Sequence, residues 1–438
     1  MLLIHTPKLT NRLGYTLGVI FGHLLHIDYS ITTDEDLFLS SDDAKLNYGR
    51  RRLGDGLFIK SHGLLQETSI EDQEPHAECR NGQWILYPIY GRDIDFDFDP
   101  LAATFFMVSR YEEYLPHRTD QHGRFSATES IAYREGFLDE PVVEQWAQMI
   151  AAALHERYPN LPIRQPSYHF VQTVDIDAAW SYLHKGLFRT SVAMLRDLIV
   201  RRDPSEVVRR IRVLLHRDDD PFDTFDYIIT HHRTMPKADL IFFVLLADYG
   251  EFDKPASYLN RHFRELVQHI GDYGRMGIHP GYRTIDHPSL IDKERQRLSD
   301  ILHRPVKRSR YHFLRLRLPD AYRILLHAGI HNDFSMGYPD AIGFRAGIST
   351  PYPFYDLERD LQTELTIHPF CVMDTTLQKY LKMSPEEGIA SYRSLIDKIR
   401  AVGGTYCCIV HNQNLSDIAE WKGWRQCYEQ MLSYANQQ

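Results

Sequence analysis

Cysteine is scarce: Cys79, Cys371, Cys407, Cys408 and Cys427 make an odd set with no C-x-x-C spacing. That excludes a disulfide framework and a thiolate zinc finger, and it fits a reducing compartment. No stretch reaches the ~18 to 20 apolar residues of a membrane span. Residues 1–25 are apolar only in patches, carry Lys8 and Arg12, and have no small-residue cleavage site, so the expected location is cytoplasmic. A G-x-S-x-G elbow is missing, which argues against a serine hydrolase. No internal repeat or low-complexity tract is visible, which sets solenoids and linkers aside. A concentrated basic face is missing too. Lys and Arg total 50 against 59 Asp and Glu, for a net charge of -9, and the basic residues are dispersed except around 201–217 and 304–317. Nucleic acid is therefore not an expected partner. The first of these clusters, 205–217 (SEVVRRIRVLLHR), sets apolar residues at helical spacing with arginines between them and reads first as a solvated helix face and second as an anionic-ligand or membrane-surface helix.

The chain does have the length and apolar content for a large core, with 438 residues, 43% hydrophobic and 25% charged, enough for two or three domains. Residues 2–6 and 84–90 read as strands, and 101–114 and 141–158 as helices, the second with proline in its first turn. The 96–100 stretch (FDFDP) reads as a solvated turn. The breakers Pro159-Asn160-Leu161-Pro162 and Gln165-Pro166 divide the chain into 1–165 and 166–438. Beyond them, apolar runs at 168–174, 239–246, 276–279, 306–314, 328–333, 366–373 and 405–411 alternate with helical patterns at 257–272, 288–303, 319–328 and 384–402. That rhythm predicts parallel strands, enough for a closed or nearly closed β/α barrel with its chemistry at the carboxyl ends.

Those ends are where ligand-type residues gather. The run His169 to Val174 delivers Asp175 and Asp177, which point the same way from an extended chain, roughly 7 Å apart. Two carboxylates so placed repel unless something positive, such as a divalent metal, lies between them. Other runs finish in His279, in Arg310 and His312, in Asp333, and in His411 with Asn412. A divalent cation, zinc by this donor set, takes one aspartate and histidines and leaves a position for water. The second aspartate can then take a proton, an arginine can steady it, and a histidine across the site can protonate a departing group.

These residues resemble the polysaccharide deacetylase family, the NodB-like carbohydrate esterases, and within it a branch whose catalytic domain follows an N-terminal domain of unknown function. The family's T-F-D-D motif is similar to Thr173-Val174-Asp175-Ile176-Asp177 with one residue inserted, its H-[ST]-x-x-H motif to His279-Pro280-Gly281-Tyr282, its arginine motif to Arg310-Tyr311-His312-Phe313, and its late histidine motif to His411-Asn412. The branch's N-terminal domain is similar to Phe105 through Tyr114, His122 through Phe125 and Pro141 through Trp146, and its later signature to Gly337-Tyr338 and Gly343 through Gly347. The resemblance implies an α/β fold, a C-terminal NodB-like distorted (β/α) barrel over 166–438 preceded by a smaller α/β N-terminal domain over 1–165. It implies Asp175 as base, Arg310 as its orienting partner and His411 as general acid. Asp177 and His279 become metal ligands, with zinc the first choice of divalent metal, and Arg345, Asn412 and Tyr282 lie near an acetylated sugar or glycan substrate. Two departures stand out. Arg283 occupies the place of the second metal histidine, leaving His312 or, second, His287 as substitute, and the inserted Ile176 allows the two aspartates to exchange roles. Two rivals remain: a glycosyltransferase using Asp175-Ile176-Asp177 as its nucleotide-sugar motif, which would leave His279 and His411 far away, and a catalytically degenerate glycan-binding protein.

Overall fold

The computed structural model describes residues 1–164, 166–200 and 202–437. Near the start, β1 (Leu2–His5), β2 (Tyr29–Thr32), β3 (Ala44–Gly49) and β4 (Leu57–Lys60) form a parallel sheet in the order β2-β1-β3-β4. β5 (Ala77–Arg80) and β6 (Gln83–Leu86) make a separate antiparallel hairpin. The helix expected at 101–114 ends at Val108, because Arg110 takes a left-handed conformation (φ 55°) and turns its guanidinium back to Glu112 and Glu113. The FDFDP stretch is not a solvated turn. Asp99 is fully buried, caps the helix Pro100–Val108 by accepting from the amides of Leu101 and Ala102, and also accepts from Tyr48 Oη and the His62 amide.

The second sheet has nine strands: β7 (His169–Ile176), β8 (Asp239–Val244), β9 (Arg275–Ile278), β10 (Arg308–Ser309), β11 (Asn332–Asp333), β12 (Tyr352–Asp356), β13 (Leu361–Ile367), β14 (Val372–Met373) and β15 (Thr405–His411). Their order is β12-β13-β11-β10-β9-β8-β7-β15-β14, parallel throughout except for the β12/β13 pair. The long runs at 306–314 and 328–333 yield only two-residue strands. After Ser309 the chain leaves the ladder, with the Tyr311 amide donating to Ser335 Oγ and the His312 amide to the Pro280 carbonyl. β12 was not expected from sequence, since Pro353 breaks its pattern; as an edge strand it tolerates the missing donor.

Alternation along the strands sets what each face does. In β7, Phe170, Val174 and Ile176 pack towards the helices with Leu240, Phe242 and Val244 of β8 and Tyr406, Cys408 and Val410 of β15. The opposite face gathers Val171, Ile241, Phe243, Leu314, Phe334, Phe370, Met373, Cys407 and Ile409 into one separate cluster. Its strand members come from the consecutive strands β8, β7, β15 and β14, and Leu314, Phe334 and Phe370 from outside the strands complete this apolar plug.

The two sheets are fastened together by buried polar contacts. Glu144 accepts from the Ser349 amide and hydroxyl and from the Thr350 amide, and Val143 donates to the Gly347 carbonyl. Gly343 (φ 124°) lies so tightly on the Leu138 carbonyl that no Cβ fits.

Candidate functional site

In the register of the second sheet, His411 stands opposite Asp175, Ile176 opposite Val244, and Val244 in turn opposite Ile278. His279, Arg310 and Asp177 therefore leave neighbouring parallel strands at one level, at the carboxyl end. Asp175 continues the inner face of β7 above the apolar plug and is 2% exposed. Arg310, fully buried, donates from Nη1 to Asp175 Oδ1 at 2.9 Å and to Thr173 Oγ1 at 2.6 Å, and from Nε to the Phe334 carbonyl at 2.9 Å. Its guanidinium lies over the Phe243 ring. Asp175 is thus paired, oriented and dry, as a base must be to act without losing its place.

Asp177 projects towards two imidazoles. Its Oδ1 is 3.3 Å from His279 Nε2 and 3.6 Å from His312 Nε2, and the three residues can offer one donor atom each to a common ion. Oδ2 accepts from Gln413 Nε2 at 3.1 Å, while Oδ1 has no hydrogen-bond partner among the described residues. What lies behind the imidazoles explains why this matters. His279 Nδ1 is 2.5 Å from the Arg310 carbonyl, and a carbonyl only accepts, so Nδ1 carries the proton. His312 Nδ1 is 2.7 Å from Asp253 Oδ1, with the same result. With Nδ1 engaged behind each ring, it is Nε2 that faces Asp177 Oδ1, the arrangement by which two imidazoles and a carboxylate can share one ion. Burial works against charge on Asp177, yet His312, His279 and His411 hold its pKa well below the usual carboxylate range. Burial likewise lowers the pKa of His279, but Asp175 and Asp177 outweigh it and raise it. The residues fit a divalent metal.

Of the two substitutes for the missing histidine, His312 is the one in the cluster; His287 and Arg283 are exposed on the following loop. Arg310 binds Asp175, and the imidazoles gather at Asp177, so the geometry supports the assignment in which the aspartates are not exchanged.

Across the site, His411 Nε2 is 3.8 Å from Asp177 Oδ2. Its Nδ1 is 2.7 Å from Asp374 Oδ1, and its amide donates to Asp374 Oδ2. Asn414 Nδ2 and the Thr375 amide also donate to this carboxylate. Burial opposes protonation of His411, but Asp374 and then the two site aspartates raise its pKa to about 9. Asp374 and Asp253 escaped the sequence reading. Asp374 directly follows the two-residue β14, inside a run read as a single strand, which is a signal that could have exposed it. Asp253 sits in a loop with no periodic context.

A cleft of about 660 Å³ opens over Asp177, His312 and His411, with Tyr182, Tyr380 and Trp421 in its walls. Three expected substrate contacts do not reach it. Arg345 is 1% exposed and pairs with Glu113 through Nε (2.9 Å) and Nη2 (2.6 Å), while Arg110 bonds its carbonyl. It fastens 1–165 to the second sheet. Asn412 is fully buried and spends its Nδ2 on the carbonyls of Ala178 and Phe222. Tyr282 stacks on Phe252 and meets Phe313 edge-on, so it stands one layer behind the wall, its hydroxyl 3.1 Å from His122 Nδ1. Asp333, another strand-end acid, is buried under Ser309 and Ser335.

Arg345→Ala should leave Glu113 with Arg110 as its remaining cation and cost about 1–3 kcal/mol, the range for removing one partner of a buried group, as read by denaturant unfolding, with KM of the folded fraction unchanged. Burial raises the Glu113 pKa, but Arg345 and Arg110 bring it from 4.5 down to about 2. The pair's contribution is accordingly present above pH 4.5 and lost as the pH falls towards 2.

Residues 2–159 match the model of a family of unknown function, DUF7033. No curated protein matches the chain. Among solved structures, it is similar to a protein from Mycobacterium smegmatis assigned as a polysaccharide deacetylase, with a TM-score of 0.39 and 11% identity over 62% of this chain and 85% of that one. It is also similar to a polysaccharide deacetylase from Bacillus cereus, with a TM-score of 0.28 and 10% identity over 61% and 88%.

Proposed function

We propose that this protein is a metal-dependent hydrolase that removes an acetyl group from an acetylated sugar or glycan precursor, with residues 166–438 forming an open, distorted β/α barrel and 1–165 a supporting domain. The observation that carries the reading is the convergence of the His279 and His312 Nε2 atoms on Oδ1 of Asp177, flanked by the Arg310–Asp175 and His411–Asp374 pairs.

Asp177, His279 and His312 would hold the ion. Zinc or a similar divalent cation, when bound there, polarises the acetyl carbonyl and makes water acidic enough to attack near neutral pH. Asp175, paired with and aimed by Arg310, takes the proton of the attacking water. As the bond between the acetyl carbon and the sugar nitrogen or oxygen breaks, His411 passes its proton to the leaving atom, and Asp374 steadies the imidazolium beforehand. The products are acetate and a free amine or hydroxyl.

The glycosyltransferase alternative required His279 and His411 to lie far from the aspartates, and both are within 4 Å of one, at 3.3 Å and 3.8 Å from Asp177. Metal removal tests what remains. The purified protein loaded with zinc is expected to release acetate from N- or O-acetylated oligosaccharides, to stop after chelation, and to resume on adding zinc back. Sugar binding with no stoichiometric metal and no acetate release would instead identify a degenerate binder.

A further inference from the structure

Between the strand carrying Asp175 and the next one, the chain makes a pair of helices, Leu187–Ile199 and Pro204–Leu214, that are built inside out. Their contact side holds an ion pair beside the buried Val213: Asp197, fully buried, is paired at 2.6 Å with the nearly buried Arg210. Their outward side is apolar, and the same pattern serves both helices, V-x-x-L-R-x-L-I from Val192 to Ile199 and V-x-x-I-R-x-L-L from Val208 to Leu215. At helical spacing these apolar positions form a strip on each helix, with Arg196 beside the first and Arg212, paired with Asp218 at 2.7 Å, beside the second. Leu195 is 58% exposed, Ile199 61%, Val208 56% and Leu215 59%. A helix that packs only within its own domain turns such a strip inward; a solvated helix, as the sequence suggested for 205–217, does not have one.

A groove of about 700 Å³ runs beside the first helix, and its charges are of one sign. Lys185, Arg189, Arg196 and Lys254 line it, and no carboxylate among the described residues does. Burial lowers the pKa of Lys185; Asp220 opposes this, while Arg210, Arg189 and Arg196 add to it. In a chain of net charge -9, this cationic hollow beside an apolar strip is the exception, and the pairing is complementary to an anionic lipid surface, acyl chains against the strip and phosphates against the groove. The first helix has 13 residues, a length of about 20 Å, too short to span a bilayer and suited to lying along one.

We infer that the helix pair Leu187–Ile199 and Pro204–Leu214 docks the protein on anionic membrane surfaces. The site gains by it: Glu206 and Arg209 of the second helix are also walls of the catalytic cleft, and Glu206 accepts from Tyr182 Oη at 2.7 Å. Docking thus brings the mouth of the cleft to the headgroup layer, where a saccharide carried on a lipid would stand. The inference is independent of the deacetylase reading, because binding is measured without turnover.

The test is co-sedimentation of the full chain with vesicles of phosphatidylcholine alone or mixed equally with phosphatidylglycerol. Binding is expected only to the mixed vesicles and should weaken with salt. Ile199→Glu and Leu215→Glu should each weaken it about tenfold or more. Arg189→Ala with Lys254→Ala should weaken it and flatten its salt dependence, while the melting temperature of every variant stays near that of the parent. Failure to bind mixed vesicles would overturn the inference. So would binding that ignores all four substitutions, or a dimer that Ile199→Glu dissociates without any vesicle binding, which would make a second copy the occupant of this face.

Discussion

Asp175→Asn is expected to lower turnover by about 10²- to 10⁴-fold, the range that a positioned general base contributes, while leaving bound metal at the parental level. The substitution conserves shape, and the amide oxygen can still accept from Arg310 Nη1, which now reaches Asp175 Oδ1 at 2.9 Å. Asp177, His279 and His312 all keep their donor atoms, although His279 loses the charge that Asp175 Oδ2 holds 3.8 Å from its Nε2. What disappears is the ability to take a proton from water. The measurement is acetate release under saturating substrate, alongside metal content by elemental analysis. Near-parental turnover would remove Asp175 from the role of base, and loss of metal would mean that the aspartates have exchanged roles.

The second large effect concerns the ligand that replaces the absent histidine. His312→Ala is expected to lower zinc affinity by more than about 100-fold, beyond the 10- to 100-fold that losing a partner behind a metal ligand costs, and to reduce turnover in proportion to the metal lost. Asp253 makes His312 suitable, because by accepting from Nδ1 at 2.7 Å it fixes the tautomer that frees Nε2. Arg283→His should not restore binding in that variant, since position 283 is exposed. Competition with a chromophoric chelator checks both statements; an unchanged zinc affinity in His312→Ala would transfer the third ligand elsewhere.

Sequence reading reached Asp175, Asp177, His279, Arg310 and His411 because each ends an apolar run, and parallel strands carry their ends to one edge. His312 was within reach only as the neighbour of Arg310. The substrate contacts expected at Arg345, Asn412 and Tyr282 failed for a physical reason: a polar side chain between small or apolar neighbours has the same local pattern whether it meets a ligand or a distant buried partner. The partner of Arg345 lies 232 positions earlier in the chain. Asp374 and Asp253 act through imidazoles from other elements, and no local periodicity marks such a role. In the fold, β7, β8 and β15 were legible, whereas the run at 366–373 holds only the end of β13 and the two-residue β14, and β10 and β11 shrank to two residues because side chains and loop carbonyls took over their backbone donors.

The fastening of the two sheets also bears on how the molecule comes into being. Glu144 waits for Ser349, 205 positions later, and Glu113 for Arg345, 232 positions later. At about 5–20 residues per second of synthesis, those carboxylates spend on the order of tens of seconds outside the ribosome without their mates. The early part of the chain therefore cannot finish maturing first, and a nascent chain halted before position 345 would be a client for chaperones.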